Sequence, residues 1–271
     1  MRPTTPEKRA AFRQLHAAGC FVLPNPWDVG SATMLWRLGF KALATTSAGM
    51  AWAMGRVDGA VSLDEVLLHL TSLAHATDLP LNADFENAFA DAPADVAANV
   101  ALAVDTGISG LSVEDYTGQA DRGLYDFTLA VERVAAAREA IDRSGSGVVL
   151  TARSEGFIRG APDMDATLRR LNAFAEAGAD CLYAPGLRDA AQIRAVVEGV
   201  APKPVNVLSP GLPVETLSGL GVRRISLGGA LASAAWGAAL RAAQEIAETG
   251  AFTALAAGGG GRALSALFAG G

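Results

Sequence analysis

With 271 residues, 51% of them hydrophobic, the chain can bury one large core, and its length is close to the ~250 residues typical of a (β/α)8 barrel. A net charge of −6 with no basic cluster argues against a nucleic-acid partner, and no uninterrupted apolar run reaches the ~18 residues of a membrane span. Cys20 and Cys181 stand in apolar runs without paired-motif spacing, which excludes a disulfide or zinc motif and predicts a soluble, cytoplasmic protein.

In chain order, the apolar periodicity predicts a helix over Pro6–Ala18, stopped by Gly19. Strand candidates follow at Phe21–Pro24, Ala42–Thr46, Leu79–Phe85, Gly110–Val113, Val148–Ala152, Cys181–Ala184, Pro204–Leu208 and Arg224–Leu227. Helical patterns fill the intervals at Val29–Leu38, Leu63–Ala76, Ala94–Thr106, Thr128–Ser144, Met164–Ala177, Ala190–Gly199 and Val214–Leu220, with Ala230–Thr249 last. Asp163 and Asp189 are N-cap candidates, and Gly107, Gly178 and Gly221 stand where helices stop. Strands alternating with helices predict an α/β fold of the (β/α)8 TIM-barrel type; a doubly wound open sheet is the rival, because periodicity does not encode strand order. No linker divides the chain, so residues 1–255 read as a single barrel domain with its N-terminal helix. Residues 256–271 read as a glycine joint, Gly258–Gly261, carrying the apolar run Ala263–Phe268, which either docks on its own barrel, packs on a neighbour or frays.

Three strands end in charge. Leu81–Glu86 finishes in Asp84 and Glu86, Leu111–Asp115 in Glu114 and Asp115, and Val148–Glu155 in Arg153 and Glu155. Buried parallel strands are otherwise apolar, so such charges point to a shared polar mouth at the C-terminal face of a barrel. Asp84 and Glu86, two apart on a strand, should face the same side, with Glu114 beside them. Clustered carboxylates repel unless a cation intervenes, and oxygen-only donors suit magnesium or manganese; the alternative is a rim salt-bridged to Arg153. His16, His69 and His75 all fall in helical stretches, which leaves zinc without ligands. Arg153 could hold a substrate carboxylate through its two-pronged donor geometry or only neutralise Glu155 or Glu114. The small-residue segment Thr45–Gly49 could offer N–H groups to an anion or form an ordinary turn, and Gly228-Gly229 could cradle a phosphate. Lys8, Lys41 and Lys203 all lie away from predicted strand C-termini, so Schiff-base chemistry has no nucleophile.

With Ser47, Asp58, Asp84-Phe85-Glu86, Glu114-Asp115 and Arg153 in order, the chain resembles the isocitrate lyase/phosphoenolpyruvate mutase superfamily from about Asn25 to Gly228. The resemblance implies a barrel enzyme using magnesium to hold a 2-oxo or 2-hydroxy carboxylate, and making or breaking an adjacent C–C or C–P bond through an enolate-type intermediate. It implies Asp84 as direct metal ligand, Glu86 and Glu114 reaching the metal largely through water, and Ser47, Ala48 and Gly49 as a carboxylate-binding loop. It further implies Arg153 as substrate arginine and Asp58 as an acid in a mobile loop. It also implies a homodimer or homotetramer with the last barrel helix swapped between subunits.

The departures narrow the chemistry. Asn87-Ala88-Phe89-Ala90 stands where the family commonly has glycines. Tyr116–Gly123 lacks the cysteine and histidine of the lyase gate and the lysine and asparagine of the mutase gate, and Tyr183–Gly186 lacks the mutase histidine. The expected activity is a magnesium-dependent lyase, decarboxylase or hydrolase on a small 2-oxo or 2-hydroxy acid; the alternatives are a phosphonate enzyme and a ligand-binding relative without turnover.

Overall fold

Eight short strands alternate with helices from end to end in the computed structural model, which describes residues 2–258 and 260–269. The elements are α1 (Thr5–Ala17), β1 (Phe21–Leu23), α2 (Val29–Arg37), β2 (Leu43–Ala44), α3 (Ser47–Ala53), α4 (Leu63–Ala76), β3 (Leu81–Asp84), α5 (Pro93–Asp105), β4 (Gly110–Glu114), α6 (Phe127–Ser144), β5 (Val149–Arg153) and α7 (Met164–Glu176). They continue with β6 (Cys181–Tyr183), α8 (Ala190–Gly199), β7 (Val205–Leu208), α9 (Val214–Gly219), β8 (Arg224–Ser226), α10 (Ala230–Thr249), a 3-10 turn at Thr253–Ala257 and α11 (Gly261–Ala269). Helix starts are set by side chains. Thr4, Asp28 and Ser62 form capping boxes at α1, α2 and α4, and the predicted caps Asp163 and Asp189 accept from Ala166 and Gln192.

All strand pairs are parallel, in the order β1-β8-β7-β6-β5-β4-β3-β2. The two end strands meet where the Ala44 N–H donates to the Pro24 carbonyl at 3.0 Å. Asn25 staples the same seam: its amide donates to the Thr45 carbonyl at 2.8 Å, and its Oδ1 accepts from Leu227 and Gly228 N–H at 2.8 and 3.0 Å. The sheet therefore closes into a (β/α)8 TIM-type barrel, and the open-sheet rival is set aside.

The N-terminal end of the barrel is plugged by α1. Phe12, fully buried, packs with Phe21, Leu23, Ala42, Ala44 and Val149 inside the strands. Gly110 makes room for it, since a Cβ there would lie 2.5 Å from Phe12 Cε1. Lys8 caps the end of α4 by donating to the Ala74 and Thr77 carbonyls, and Arg9 donates to the carbonyls of Val104 in the last turn of α5 and of Ile108 beyond it. With that end closed, the cavity can open only at the strand C-termini.

Two details depart from the sequence reading. The predicted small-residue loop is α3, begun by the Thr46 hydroxyl, which accepts from Gly49 N–H. β3 ends at Asp84, and Glu86 lies beyond it with φ of +46°, so strand alternation does not place Glu86. The apolar tail, for which docking on its own barrel was one of the expected alternatives, is helical and lies against α2. Among the described residues no helix is long and apolar enough to cross a membrane.

Candidate active site

A cavity of about 330 Å³ opens at the C-terminal ends of the strands. Asp58, Asp84, Glu86, Glu114, Arg153, Ser47 and Ala48 all line it, so seven of the eight residues singled out from sequence converge there. Gly49 does not. Its N–H is held by Thr46, and its missing Cβ lets α3 approach Trp27 and Ala232, which would otherwise lie 2.9 and 3.2 Å away. Neither a lysine nor a histidine lines the cavity among the described residues.

Arg153 is the hub. β4 and β5 place Glu114 and Arg153 in register as the last residues of neighbouring strands. The guanidinium is 2.6 Å from Asp84 Oδ1, 3.2 Å from Glu114 Oε2 and 2.9 Å from Glu155 Oε1, and it lies 5.2 Å from the Tyr183 ring centroid. The salt-bridged rim foreseen as an alternative is thus present. Burial works against the charge on Arg153, but Glu155, Glu114 and Asp84 more than offset it and hold its pKa well above the usual value.

The acids feel the opposite pressure. Burial pushes the Glu86 carboxyl up to about 7, with Asp84 and Asp58 adding repulsion against the pull of Arg153 and Arg159. Glu114, buried, is raised well above the carboxylate range by desolvation despite Arg153. Asp115 turns away from the cavity: it accepts from Glu155 N–H at 2.8 Å and pairs with Arg170 of α7 at 3.2 Å. Burial raises it to about 6.

The N–H groups expected to receive an anion are partly engaged. Ser47 N–H donates to Asp84 Oδ2 at 3.2 Å, while Ala48 N–H has no partner among the described residues. Leu227 and Gly228 N–H point to Asn25, which closes the phosphate cradle suggested by Gly228-Gly229. Asp58, expected in a mobile loop, stands exposed at the rim, and Tyr116 and Gly118 of the stretch that corresponds to the family gate also line the cavity.

Sequence reasoning missed Arg159, which lies 3.9 Å from the Tyr116 ring centroid and 3.3 Å from Glu155 Oε2. Its signal was the i,i+4 spacing to Glu155, legible only once a turn is known to follow β5. It also missed the interior polar side chains Asn25, Asn82, Asn206, Arg224 and Ser226, which sit within apolar strand patterns.

The donor set suits a hard cation. At the mouth five acids (Asp58, Asp84, Glu86, Glu114, Glu155) line the cavity with only two arginines, Arg153 and Arg159, and all the anionic donors are carboxylate oxygens. Among the described residues no three His, Cys, Asp or Glu side chains stand together so as to hold a metal ion, so a cation here would take fewer than three of them directly and keep water in most of its positions.

A closed βα barrel with an acidic, arginine-braced mouth defines a class of enzyme-like barrels whose chemistry sits at the strand C-termini. Residues 12–247 match the family model described as phosphoenolpyruvate phosphomutase. A crystal structure of a candidate lyase/mutase from Burkholderia cenocepacia J2315 superposes with a TM-score of 0.94 at 46% identity, covering 98% of this chain and 97% of that one. An uncharacterized protein of Mycobacterium tuberculosis is 31% identical over 241 residues, 88% of this chain and 89% of that protein. Oxaloacetate decarboxylase of Pseudomonas aeruginosa is 29% identical over 198 residues, 71% of this chain and 68% of the enzyme. The chain belongs to the isocitrate lyase/phosphoenolpyruvate mutase superfamily.

Proposed function

We propose that the protein is a magnesium-dependent enzyme that cleaves a C–C bond next to a 2-oxo or 2-hydroxy carboxylate, acting as a lyase, decarboxylase or hydrolase. The observation carrying this reading is a mouth lined by five acid side chains and only two arginines, one of them fixed by three of the acids. Such a mouth repels an acid substrate unless a cation intervenes. Asp84 is assigned as direct ligand, with Glu86 and Glu114 reaching the ion through water; magnesium is the first choice and manganese the second. Bound there, the ion supplies Lewis-acid stabilisation of enolate charge.

The rest falls to the chain. Arg153, braced by three carboxylates, presents a fixed cation to the substrate carboxylate, and the Ser47 hydroxyl and Ala48 N–H donate from the opposite wall. The exposed rim position of Asp58 suits it to proton handling. The segments around Asp58 and Tyr116–Gly123 close over ligand and exclude water, a motion that hydrogen exchange with and without ligand would reveal. A phosphonate substrate is the second reading, favoured by the family description.

The test is a screen of 2-oxo, 2-hydroxy and phosphono acids with magnesium, read by direct product detection. Pyruvate from oxaloacetate, lost with chelator and in Asp84→Asn, supports the proposal. Phosphate from phosphonopyruvate moves the chemistry to the C–P bond. Ligand-induced stabilisation without product from any acid leaves a binding protein.

A further inference from the structure

Behind the wall that carries Asp84 and Glu86 lies a second, smaller pocket of about 10 Å³. Thr46, Ser47, Asp84 and Glu86 border both it and the main cavity, whereas His69 of α4 and Met50 of α3 border only the smaller one. His69 faces inward because it follows Val66 by three residues and precedes Leu70 and Leu73 on the buried stripe of α4. Its Nε2 is buried and has no hydrogen-bond partner among the described residues. Burial takes the ring pKa down to about 4 against the pull of Asp28, so the imidazole is uncharged at neutral pH.

Glu86 supplies the complementary group. Burial and the charges of Asp84, Asp58, Arg153 and Arg159 act on its carboxyl, and no hydrogen bond is among the influences. β3 ends at Asp84 and the Glu86 backbone is left-handed, so strand geometry does not orient this side chain. A buried nitrogen and a carboxyl thus border one small pocket, each lacking the partner that the other could supply. They do not meet directly, because Nε2 has no partner within hydrogen-bonding reach. Leaving a buried polar atom unpaired is costly. The pocket's volume is at the lower limit for a single water, and its polar wall offers the two or more partners that a buried water requires.

We propose that one fixed water occupies this pocket, accepting from His69 Nε2–H and donating to the Glu86 carboxylate, and that His69 is thereby the positioning residue for Glu86. This deepens the magnesium reading and rests on it for its purpose. A carboxylate that reaches an ion through water serves well only when a further partner sets its own position. His69 acts on the mouth from behind, through a wall it does not cross.

The test compares full-length wild type, His69→Leu and His69→Gln. Crystals grown with chelator and showing ordered water should reveal, in wild type, one water hydrogen-bonded to both Nε2 and Glu86. His69→Gln should keep that water, whereas His69→Leu should lose it and leave Glu86 in a different rotamer. Calorimetric magnesium affinity should fall at least about tenfold in His69→Leu and stay within about threefold of wild type in His69→Gln. The thermal midpoint of His69→Leu in chelator should not fall, since an apolar side chain needs no partner there. Should His69→Leu fail to fold, His69→Phe, which keeps a ring without the nitrogen, takes its place. If wild type binds no magnesium, the metal reading falls and the crystal structures alone decide the bridge. Absence of a shared water in wild type, an unmoved Glu86 in His69→Leu, or equal weakening of magnesium binding in both variants overturns the proposal.

Discussion

Arg153 touches three carboxylates at once, and that determines what its replacement does. Arg153→Lys keeps the charge but loses the planar fork, so it can serve fewer of Asp84, Glu114 and Glu155 together. Catalytic efficiency should fall at least tenfold, about 1.4 kcal/mol of transition-state stabilisation. The thermal midpoint should fall as well, since Glu155 is fully buried and loses part of its compensation. Steady-state kinetics and a melting curve on the same sample check both, and wild-type values in each would reduce Arg153 to a bystander. Asp84 and Arg153 were readable from sequence because charge at the end of an apolar run is conspicuous. Arg224 was not, because an arginine at the start of a strand looks the same whether it points into the barrel or into solvent.

The segment after β3 shows how one element depends on another. Glu86, Ala88 and Phe89 have φ of 46°, 58° and 55°, a left-handed backbone that favours glycine and explains why substituting Asn87-Ala88-Phe89-Ala90 for family glycines matters. Arg133 of α6, 1% exposed, holds this backbone by donating to the carbonyls of Asn87, Ala90 and Asp91, with its guanidinium 3.9 Å from the Tyr125 ring centroid. Tyr125 in turn donates to Asp91 Oδ1 at 2.5 Å. Arg133→Leu should therefore destabilise the fold by roughly 3 kcal/mol, since it strips three part-buried carbonyls of a charged donor. It should also weaken magnesium-dependent stabilisation through Glu86. Urea unfolding with and without magnesium tests this; a loss of stability with unchanged metal response would detach the clamp from the site. At this scale the helix and strand positions were legible to within a few residues. α3 was not, because Ser47-Ala48-Gly49-Met50-Ala51-Trp52-Ala53 has no polar stripe and its helix depends on the Thr46 cap.

For the whole molecule, two predictions concern the ends of the barrel. His16 lies between Phe12 and Phe21 beneath Arg224, with its pKa depressed from 6.5 to about 3 by burial and then by Arg224. The unfolded chain thus binds the proton more readily, and the stability His16 confers is complete above about pH 6.5 and declines as pH falls towards 3. The stability difference between wild type and His16→Gln should shrink over that window; a difference independent of pH from 7.5 to 4.5 would contradict it. At the other end, α10 runs for twenty residues with only Ala232 and Ala242 buried, leaving Trp236 46% and Leu240 59% exposed. Phe252, Leu255, Leu264 and Phe268 extend the exposed apolar surface. Burial of that surface on a second copy, with α10 exchanged between subunits, predicts a dimer or tetramer. Solution mass at micromolar concentration, for the full chain and for one ending at Glu248, tests this. A full-length monomer would defeat the assembly, and unchanged mass after truncation would defeat only the role of the tail.

The sequence by itself determined the alternation of eight strands with helices and the strand ends that carry Asp84, Glu114 and Arg153. Those features are local: they follow from periodicity and from the cost of burying charge. Tertiary structure alone decided which partners the charges take. Closure brought Asn25 across the β1–β2 seam and used the amides of Leu227 and Gly228 that had looked free for phosphate. Register set Arg153 beside Glu114 and sent Asp115 to Arg170 instead. The inward turn of Arg224 towards Asn82, Asn206 and His16 depends on three other elements at once. A pattern along one chain specifies which residues face inward, whereas the identity of the neighbour across a barrel depends on shear and closure, which are properties of the assembled sheet.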